Sequence, residues 1–518
     1  MSQDALSQQS QEKKIESCRS GWDSVGNLLR KAIGHHEAGR LDKASSLYKQ
    51  VLEQAPEDPH ALMNLGIIHN SRMELQEALG YYRRLLAVVP DHFQAVYYFA
   101  NACRDEGLVA EAVAAYQKAL AIEPGHPDVL LNLGIAYYLE NNASAAAGCY
   151  EQVLTVDPNC HQAHYNLGLI RFDQKRLPEA IACYERALGL IPDDVDTLFN
   201  LGLALQKAKR LPEAAARLEE AVRLAPDDAE FHNTLGTIYK AAQELERAEA
   251  GFRRALAIKP GYGAAWTNLA IVLHILGRID EALAAYRQAM ALGHNVVAAE
   301  YMIAALSGDA RKSAPRQYVT ELFDNYAAGF DKSLTEDLGY KTPSLLRQAV
   351  GAIAPGPFAR VLDLGCGTGL AGEAFRDMAG HLSGVDLSPA MLEEAARKGI
   401  YDALAAADLV EYLAGATVHY DLMVAADVLI YLGELEPLFA AVRSRLTGGG
   451  RLAFSTESYD RPNEYCLRQS GRYAYHPGYI EEMARRYRFT TEYCGQEPVR
   501  MERGAWIAGH LFVLRLID

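Results

Sequence analysis

The sequence predicts two folds in one chain: an all-α superhelix of about eight helix-pair repeats, then an α/β domain on an open, mostly parallel sheet. Three observations carry this. A strict 34-residue period begins near Val25. A short apolar run passes into a turn with glycine at alternate positions, Val361–Leu370 (VLDLGCGTGL). Acids then stand at the ends of three successive strand-like runs, Asp363, Asp386 and Asp408.

Residues 1–21, rich in Gln and Ser with mixed charges, read as a mobile tail. The periodic region follows as 22–306. Ala32, Gly66, Ala100, Gly134, Gly168, Gly202, Gly236 and Ala270 fall 34 residues apart, and alanine recurs without exception from Ala44 to Ala282 at the same interval. Four residues after each alanine comes Tyr48, Tyr82, Tyr116, Tyr150, Tyr184, Leu218, Phe252 or Tyr286. Prolines from Pro56 to Pro260 close seven units, and His294 takes that place in the eighth. Small residues let two helices approach closely, the aromatic fills space between neighbouring units, and proline ends the second helix. The pattern resembles the tetratricopeptide repeat (TPR), which implies a right-handed superhelix with a concave groove. Val296 to Leu306 is expected to cap it.

Asn64, Asn132, Asn166, Asn200 and Asn268 recur at one position of the first helix. In TPR arrays that position lines the inner surface, so the resemblance implies a ladder of amides for an extended peptide; the competing reading is hydrogen bonding between helices. His161 and His164 have the spacing of a metal pair, but no third ligand accompanies them and no metal site is expected. Ser307–Gln317, polar and proline-containing, breaks the period and reads as a linker.

The second domain is expected over 318–518. Glycine at every second position lets the backbone turn and approach a ligand without a Cβ in the way. VLDLGCGTGL, GVDLS (384–388), AADL (406–409), YDLMVAADVLIYL (420–432) and LTGGGRLAFST (446–456) together look like the ordered motifs of class I S-adenosylmethionine (SAM)-dependent methyltransferases, over roughly 320–518. The resemblance implies a Rossmann-like, seven-stranded domain whose last two strands, around Phe489–Cys494 and Trp506–Leu516, form an antiparallel hairpin. It further implies that Asp363, Gly365, Cys366, Gly367 and Gly369 face the methionine part of the cofactor, Asp386 with Leu387 the ribose, and Asp408 with Leu409 the adenine. Gly367-Thr-Gly369-Leu-Ala-Gly372 also satisfies the dinucleotide fingerprint G-x-G-x-x-G, but Gly365 precedes it and the later motifs favour methyl transfer.

Around that loop several candidates remain open between chemistry and structure. Cys366 is a reactive thiol or a compact filler between glycines. Tyr326 and Tyr340, in the helical lead-in, cover the cofactor or pack helices. Asp427, after the fourth strand, contacts the cofactor's ammonium, contacts the substrate, or caps the loop, and Tyr431 follows it as a second catalytic candidate. Tyr475 and His476 are a general base pair or a helix entry, at the end of a loop from Tyr459 expected to wall the substrate.

Composition bounds partners and compartment. Net charge is −15, which disfavours a general electrostatic grip on nucleic acid. Eight cysteines form no C-x-x-C pair and no run reaches 18 apolar residues, so reduced thiols, a cytoplasmic location and no membrane span are expected. The leading expectation is a SAM-dependent methyltransferase with S-adenosylhomocysteine as product and an acceptor brought by a protein or peptide on the repeats. The alternatives are a small-molecule, lipid or glycan acceptor with repeats for assembly, or a repeat scaffold whose second domain only binds cofactor.

Overall fold

A computed structural model describes residues 25–309, 311–327, 329–462, 464–502 and 505–517; the tail expected at 1–21 lies outside the described residues. The chain divides into two compact units, Met1–Glu244 and Leu245–Asp518. The division falls among the helical repeats, not at 307–317.

In the first unit, helices of 13 residues such as Pro59–Ser71 and Pro127–Leu139 alternate with helices of 14 such as Leu75–Val88 and Ala143–Val156. Each second helix stops two residues before its proline. Proline disfavours helical geometry in the residue before it, and Ala55, Val89 and Glu123 take φ of −134°, −129° and −126°. Several helix starts are capped by carboxylate or amide oxygens, as where Asp58 accepts the Ala61 amide at 2.8 Å and Asp194 that of Thr197 at 3.0 Å. The tyrosine ring lies against the small residue of its own unit. A Cβ on Gly66, Gly134 or Gly168 would come within 2.4–2.6 Å of the rings of Tyr82, Tyr150 or Tyr184. The other side of the ring meets the next unit, where Tyr82 stacks on Tyr98 at 6.5 Å.

The second unit begins with Leu245–Ile258, Gly263–Ile275 and Ile279–Ala291. Where the eighth proline is missing, Gly293 and Asn295 take positive φ and break the helix. His294 packs on Gly263 and shares a 3.1 Å hydrogen bond with Thr267. The helix Val296–Ser307 follows and ends on Gly308 in the left-handed region. No described helix is long and apolar enough to cross a membrane.

The sheet comprises β1 Phe358–Leu364, β2 Ala379–Asp386, β3 Ala403–Ala406, β4 Tyr420–Ala425, β5 Leu446–Ser458, β6 Tyr465–Leu467, β7 Tyr473–Tyr475, β8 Phe489–Glu502 and β9 Ala505–Leu516. Parallel strands run in the order β3-β2-β1-β4-β5, β9 lies antiparallel to β5, and β8 pairs with β9. That is the expected seven-stranded Rossmann-like frame. Central strands buried on both faces explain why β1 and β4 read as continuous apolar runs.

Two expectations change. The stretch read as a loop after Tyr459 contains β6 and β7, and β7 extends the sheet by pairing with Glu457 and Ser458 of β5. Aromatic residues on alternate positions, Tyr475 opposite Tyr465 and Tyr473 opposite Leu467 with its ring 6.2 Å from that of Tyr465, give the pair its packed face. The segment read as a linker is a strap bonded to the turn after β4. Ala314 donates to the Tyr431 carbonyl at 3.0 Å, while Gly433 and Glu434 donate to the Lys312 carbonyl at 3.0 and 2.8 Å.

The glycine–tyrosine packing predicts Gly134→Val to lower stability by about 1–3 kcal/mol, because the added carbon meets a buried ring that cannot swing away. Gly148→Ala, on a helix with nothing within 4 Å of the new methyl, is expected to stabilise slightly. Chemical denaturation of both variants measures this, and equal loss in the two would contradict the packing argument.

Candidate active site

The glycine loop is built by β1 and β2 together. Gly365 and Cys366 both donate to the Val385 carbonyl, at 2.8 and 3.0 Å, and Gly365, Gly367 and Gly369 all have positive φ. That conformation is why glycine stands there. Asp386, at the tip of β2, accepts the Gly367 amide at 2.8 Å through one oxygen and the Ser388 amide at 2.9 Å through the other. A cavity of about 620 Å³ opens over the carboxyl ends of these strands, and Gly365, Cys366, Gly367, Asp386, Leu387, Asp408 and Leu409 line it.

Asp408 caps the helix Leu409–Gly415 by accepting the amides of Val410 and Glu411 at 2.9 and 3.1 Å. Arg316 of the strap meets it at 3.1 Å and reaches Glu411 at 2.7 Å. Above the glycine loop, the lead-in folds back: Asp324 accepts the Ser388 hydroxyl at 2.5 Å, and Asp331 accepts that of Thr368. Lys398 holds Asp331 at 2.6 Å and Glu373 at 3.2 Å. Phe323 and Phe330 complete this wall, with Phe323 edge-on to Tyr431 at 5.4 Å.

At the other end of the cavity Asp427 has φ of +57°, its amide donating to Ser455 Oγ at 2.9 Å and its carboxylate accepting from that hydroxyl at 3.0 Å. Arg500 of β8 reaches it at 3.3 Å and also grips Glu457, which lies 3.7 Å from Arg468. Arg500 is only 3% exposed. A buried cation between two carboxylates holds all three in place, since removing one partner would strand a charge. Tyr340 lines the same end; burial, then the Asp427 and Asp363 carboxylates, push its phenol well above its ordinary value.

Several candidates fall elsewhere. Asp363 does not line the cavity: it is 2% exposed beneath the loop, where Tyr401 donates to it at 2.6 Å. Burial, with a smaller push from Asp386, raises its carboxyl to about 7. Cys366 packs toward Gly384, and burial beside Asp363 and Asp386 pushes its thiol far up, so it acts as a compact filler and not as a nucleophile. Tyr326 is 58% exposed at the end of its helix, and Phe323, one turn earlier, takes the covering position expected of it. His476 is a helix cap, accepting the Gly478 amide at 3.0 Å, and does not line the cavity. Tyr475 is fully buried and donates to the Leu429 carbonyl at 2.9 Å, which fixes the turn carrying Tyr431.

Among the repeats, the asparagines bond within the array. Asn64 donates to the His60 carbonyl at 2.8 Å, Asn132 to Tyr97 at 2.8 Å, and Asn200 to Asp196 and Tyr165 at 2.9 and 3.2 Å. Asn166 and Asn268 occupy the equivalent helical positions. His161 stacks on Tyr165, and His164 lies 3.0 Å from the Pro158 carbonyl, so both serve the fold.

Sequence reasoning missed Arg316, Phe323, Arg472 and Arg500, all cavity-lining. The only available signal for Arg500 was a charged residue inside a strand-length run.

Helix pairs of period 34, joined to an open sheet whose glycine loop and acidic strand tips surround one cavity, define a TPR protein with a Rossmann-like methyltransferase domain. The family model of the cilia and flagella-associated protein 70 C-terminal domain, a TPR model, matches residues 2–261, half of the chain, and the chain belongs to that family. A methyltransferase domain model matches 362–452 and a tetratricopeptide repeat model 264–297. Malonyl-[acyl-carrier protein] O-methyltransferase of Enterobacter lignolyticus is 36% identical over 115 residues, 22% of this chain and 45% of that enzyme. Trans-aconitate 2-methyltransferase of Pseudomonas aeruginosa is 39% identical over 110 residues, 21% of this chain and 39% of that enzyme. The chain thus spans less than half the length of these curated relatives. A solved TPR protein of Parabacteroides merdae covers 48% of this chain and 99% of its own at 20% identity and a TM-score of 0.38. YrrB, described as a TPR protein with an unusual peptide-binding site, covers 38% and 97% at 20% identity and a TM-score of 0.32.

Because Asp363 titrates near 7 in the fold against 3.8 ordinarily, the folded chain binds more protons between those values and loses stability as pH rises through them. Asp363→Asn is expected to be more stable than the parent at pH 8, by on the order of 2–4 kcal/mol, and to melt higher, with the gap closing by about pH 4. Superimposable melting curves at pH 8 would remove Asp363 from this role.

Proposed function

We propose that the chain is a SAM-dependent methyltransferase whose acceptor is delivered by a protein or peptide engaged on the repeat array. The observation that carries the cofactor reading is the cavity, where two positive-φ glycines after β1, Gly365 and Gly367, line it beside carboxylates at the tips of β2 and β3, while Gly369 lies outside the lining. The residues present fit the group: no atom lies within 4 Å of where a Cβ on Gly367 would stand, so the loop offers bare backbone. About 620 Å³ is within the range of pockets for ligands of this size.

In this reading Asp386 takes the ribose hydroxyls, the Asp408–Leu409 corner takes the adenine, and the loop amides face the methionine part. When bound, the cofactor supplies a methyl group already activated by its sulfonium. The protein's own contribution is positioning and exclusion of water. Phe323, Phe330 and Leu334 close one side, the strap another, and Tyr431 with Tyr340 flanks the reacting end. Asp427, oriented by Ser455 and Arg500, faces the cofactor's ammonium or the acceptor. TPR arrays are protein-interaction modules, which supports delivery by a partner. The name of one relative, acting on trans-aconitate, favours as the second reading a small acceptor with repeats for assembly, whereas that of another, acting on malonyl-[acyl-carrier protein], is of a protein-borne acceptor.

Calorimetric titration of SAM and S-adenosylhomocysteine is expected to show binding that Asp386→Ala weakens by about 1–3 kcal/mol; NAD binding in their place would sink the reading. Removing residues 1–226 keeps the last two helix pairs and the sheet. That protein is expected to keep cofactor affinity and lose most turnover of a partner-borne acceptor. Undiminished turnover would favour the small acceptor.

A further inference from the structure

We propose that Arg316 is a specificity-determining residue for the base of the cofactor: paired with Asp408, it sets a hydrogen-bond donor beside an acceptor and so reads the edge of adenine. The inference rests on the methyl-transfer reading above, in which the Asp408–Leu409 corner takes the adenine.

That corner is built from two sides. From the sheet, Asp408 caps the helix Leu409–Gly415, with Oδ1 accepting both the Val410 and the Glu411 amides. From the strap, Arg316 brings Nε to 3.1 Å from the other oxygen, Oδ2, and Nη1 to 2.7 Å from Glu411. Arg316, Asp408, Leu409 and Val410 all line the cavity, whereas Glu411 does not, so Glu411 holds the guanidinium from outside it. Val319, three residues after Arg316 on one face of the helix Arg316–Tyr326, lines the cavity as well. Val319 and Leu409 are both nearly buried and give the corner apolar walls suited to a flat ring.

The pair is more than the cap requires. Asp408 already has its two amides, and an ion pair whose arginine side chain is 55% exposed adds little stability. What the pair supplies is a pattern. A carboxylate has about four lone-pair sites, and the contacts above draw on three of them, which leaves acceptor capacity on Oδ2. A guanidinium carries five N–H donors in one rigid plane, so a donor stands next to that acceptor. Adenine presents the complement, an exocyclic amine that donates, flanked by ring nitrogens that accept. A single asparagine or glutamine amide reads the same edge in the same way. Here the two halves come from separate segments, and the donor half is held in place by the strap. Ala314 donates to the Tyr431 carbonyl at 3.0 Å, Lys312 meets Glu434 at 2.9 Å, and the Val319 amide bonds the Pro315 carbonyl at 3.1 Å to start the helix. Recognition of the base thus draws on the stretch between the last repeat helix and the sheet, outside the glycine loop and its strand-end acids.

The test is calorimetric titration of the full-length protein with S-adenosylhomocysteine and three analogues. S-inosylhomocysteine carries oxygen in place of the exocyclic amine, and the 1-deaza and 7-deaza forms carry CH in place of a ring nitrogen. S-inosylhomocysteine is expected to bind about tenfold more weakly, because it sets an acceptor against Asp408, and one of the deaza forms about fivefold more weakly. In Arg316→Met, which keeps an apolar stem and removes the donors, S-adenosylhomocysteine should weaken about fivefold while that deaza form stays nearly unchanged, so the penalty for losing the nitrogen disappears. Arg316→Lys should restore part of it. An arginine that only tethers the strap would weaken all four ligands alike, and a backbone amide reading the ring nitrogen would leave the deaza penalty intact in Arg316→Met; either result overturns the proposal. So does a parent protein that binds the four ligands equally, a reading that needs no variant to fold. In each of these cases S-adenosylhomocysteine still binds and the methyltransferase reading stands. Failure of S-adenosylhomocysteine itself to bind overturns both.

Discussion

Asp386 accepts two backbone amides at once, Gly367 from the loop after β1 and Ser388 from the start of the helix after β2. The arrangement in the catalytic domain follows from that carboxylate. It ties the glycine loop to the tip of the neighbouring strand, so the loop keeps Gly365 and Gly367 at the cavity. The Ser388 it positions is in turn bonded by Asp324 of the lead-in helix, which brings Phe323 over the site. The demand on this carboxylate is electrostatic: burial pushes its carboxyl up, and the N–H donors it collects partly offset that.

A second set of constraints joins the last repeat helix to the reacting end of the cavity within one compact unit. Three tyrosine hydroxyls each donate to a backbone carbonyl: Tyr301 to Gly471 of the hairpin, Tyr473 to Arg311 of the strap, and Tyr475 to Leu429 of the turn carrying Tyr431. Buried phenols need partners, and here the partners are the segments that wall the cavity. The strap then pairs with that same turn through Lys312 and Ala314. Helix, strap, hairpin and turn therefore form one hydrogen-bonded layer, which is why a stretch with linker composition serves as part of a site.

Opposite charges bring the remaining distant segments together. Asp427, Glu457 and Arg500 come from β4's end, β5 and β8, and each is acceptable in the interior only because the other two are present.

Much of this was legible in the residues alone. The 34-residue period fixes helix pairs because proline and small residues act locally, through backbone sterics and through a ring that fits only over glycine or alanine. The glycine loop and the acids at Asp386 and Asp408 were equally readable, since a strand end, a turn and a carboxylate are neighbours in sequence. Asp363 shows the limit: its motif is intact, yet strand alternation and Tyr401, 38 residues away, turn it beneath the loop. His476 and Tyr326 show it again, for a cap and a solvent-facing helix end carry the same letters as a base and a lid. By itself the sequence determined the repeats, the succession of β1 to β5 along the chain and the loop that can hold a cofactor. Only the tertiary structure decided which side chains enter the cavity, because Arg316, Arg472 and Arg500 arrive there by charge pairing and backbone bonds between segments with no short-range pattern in common.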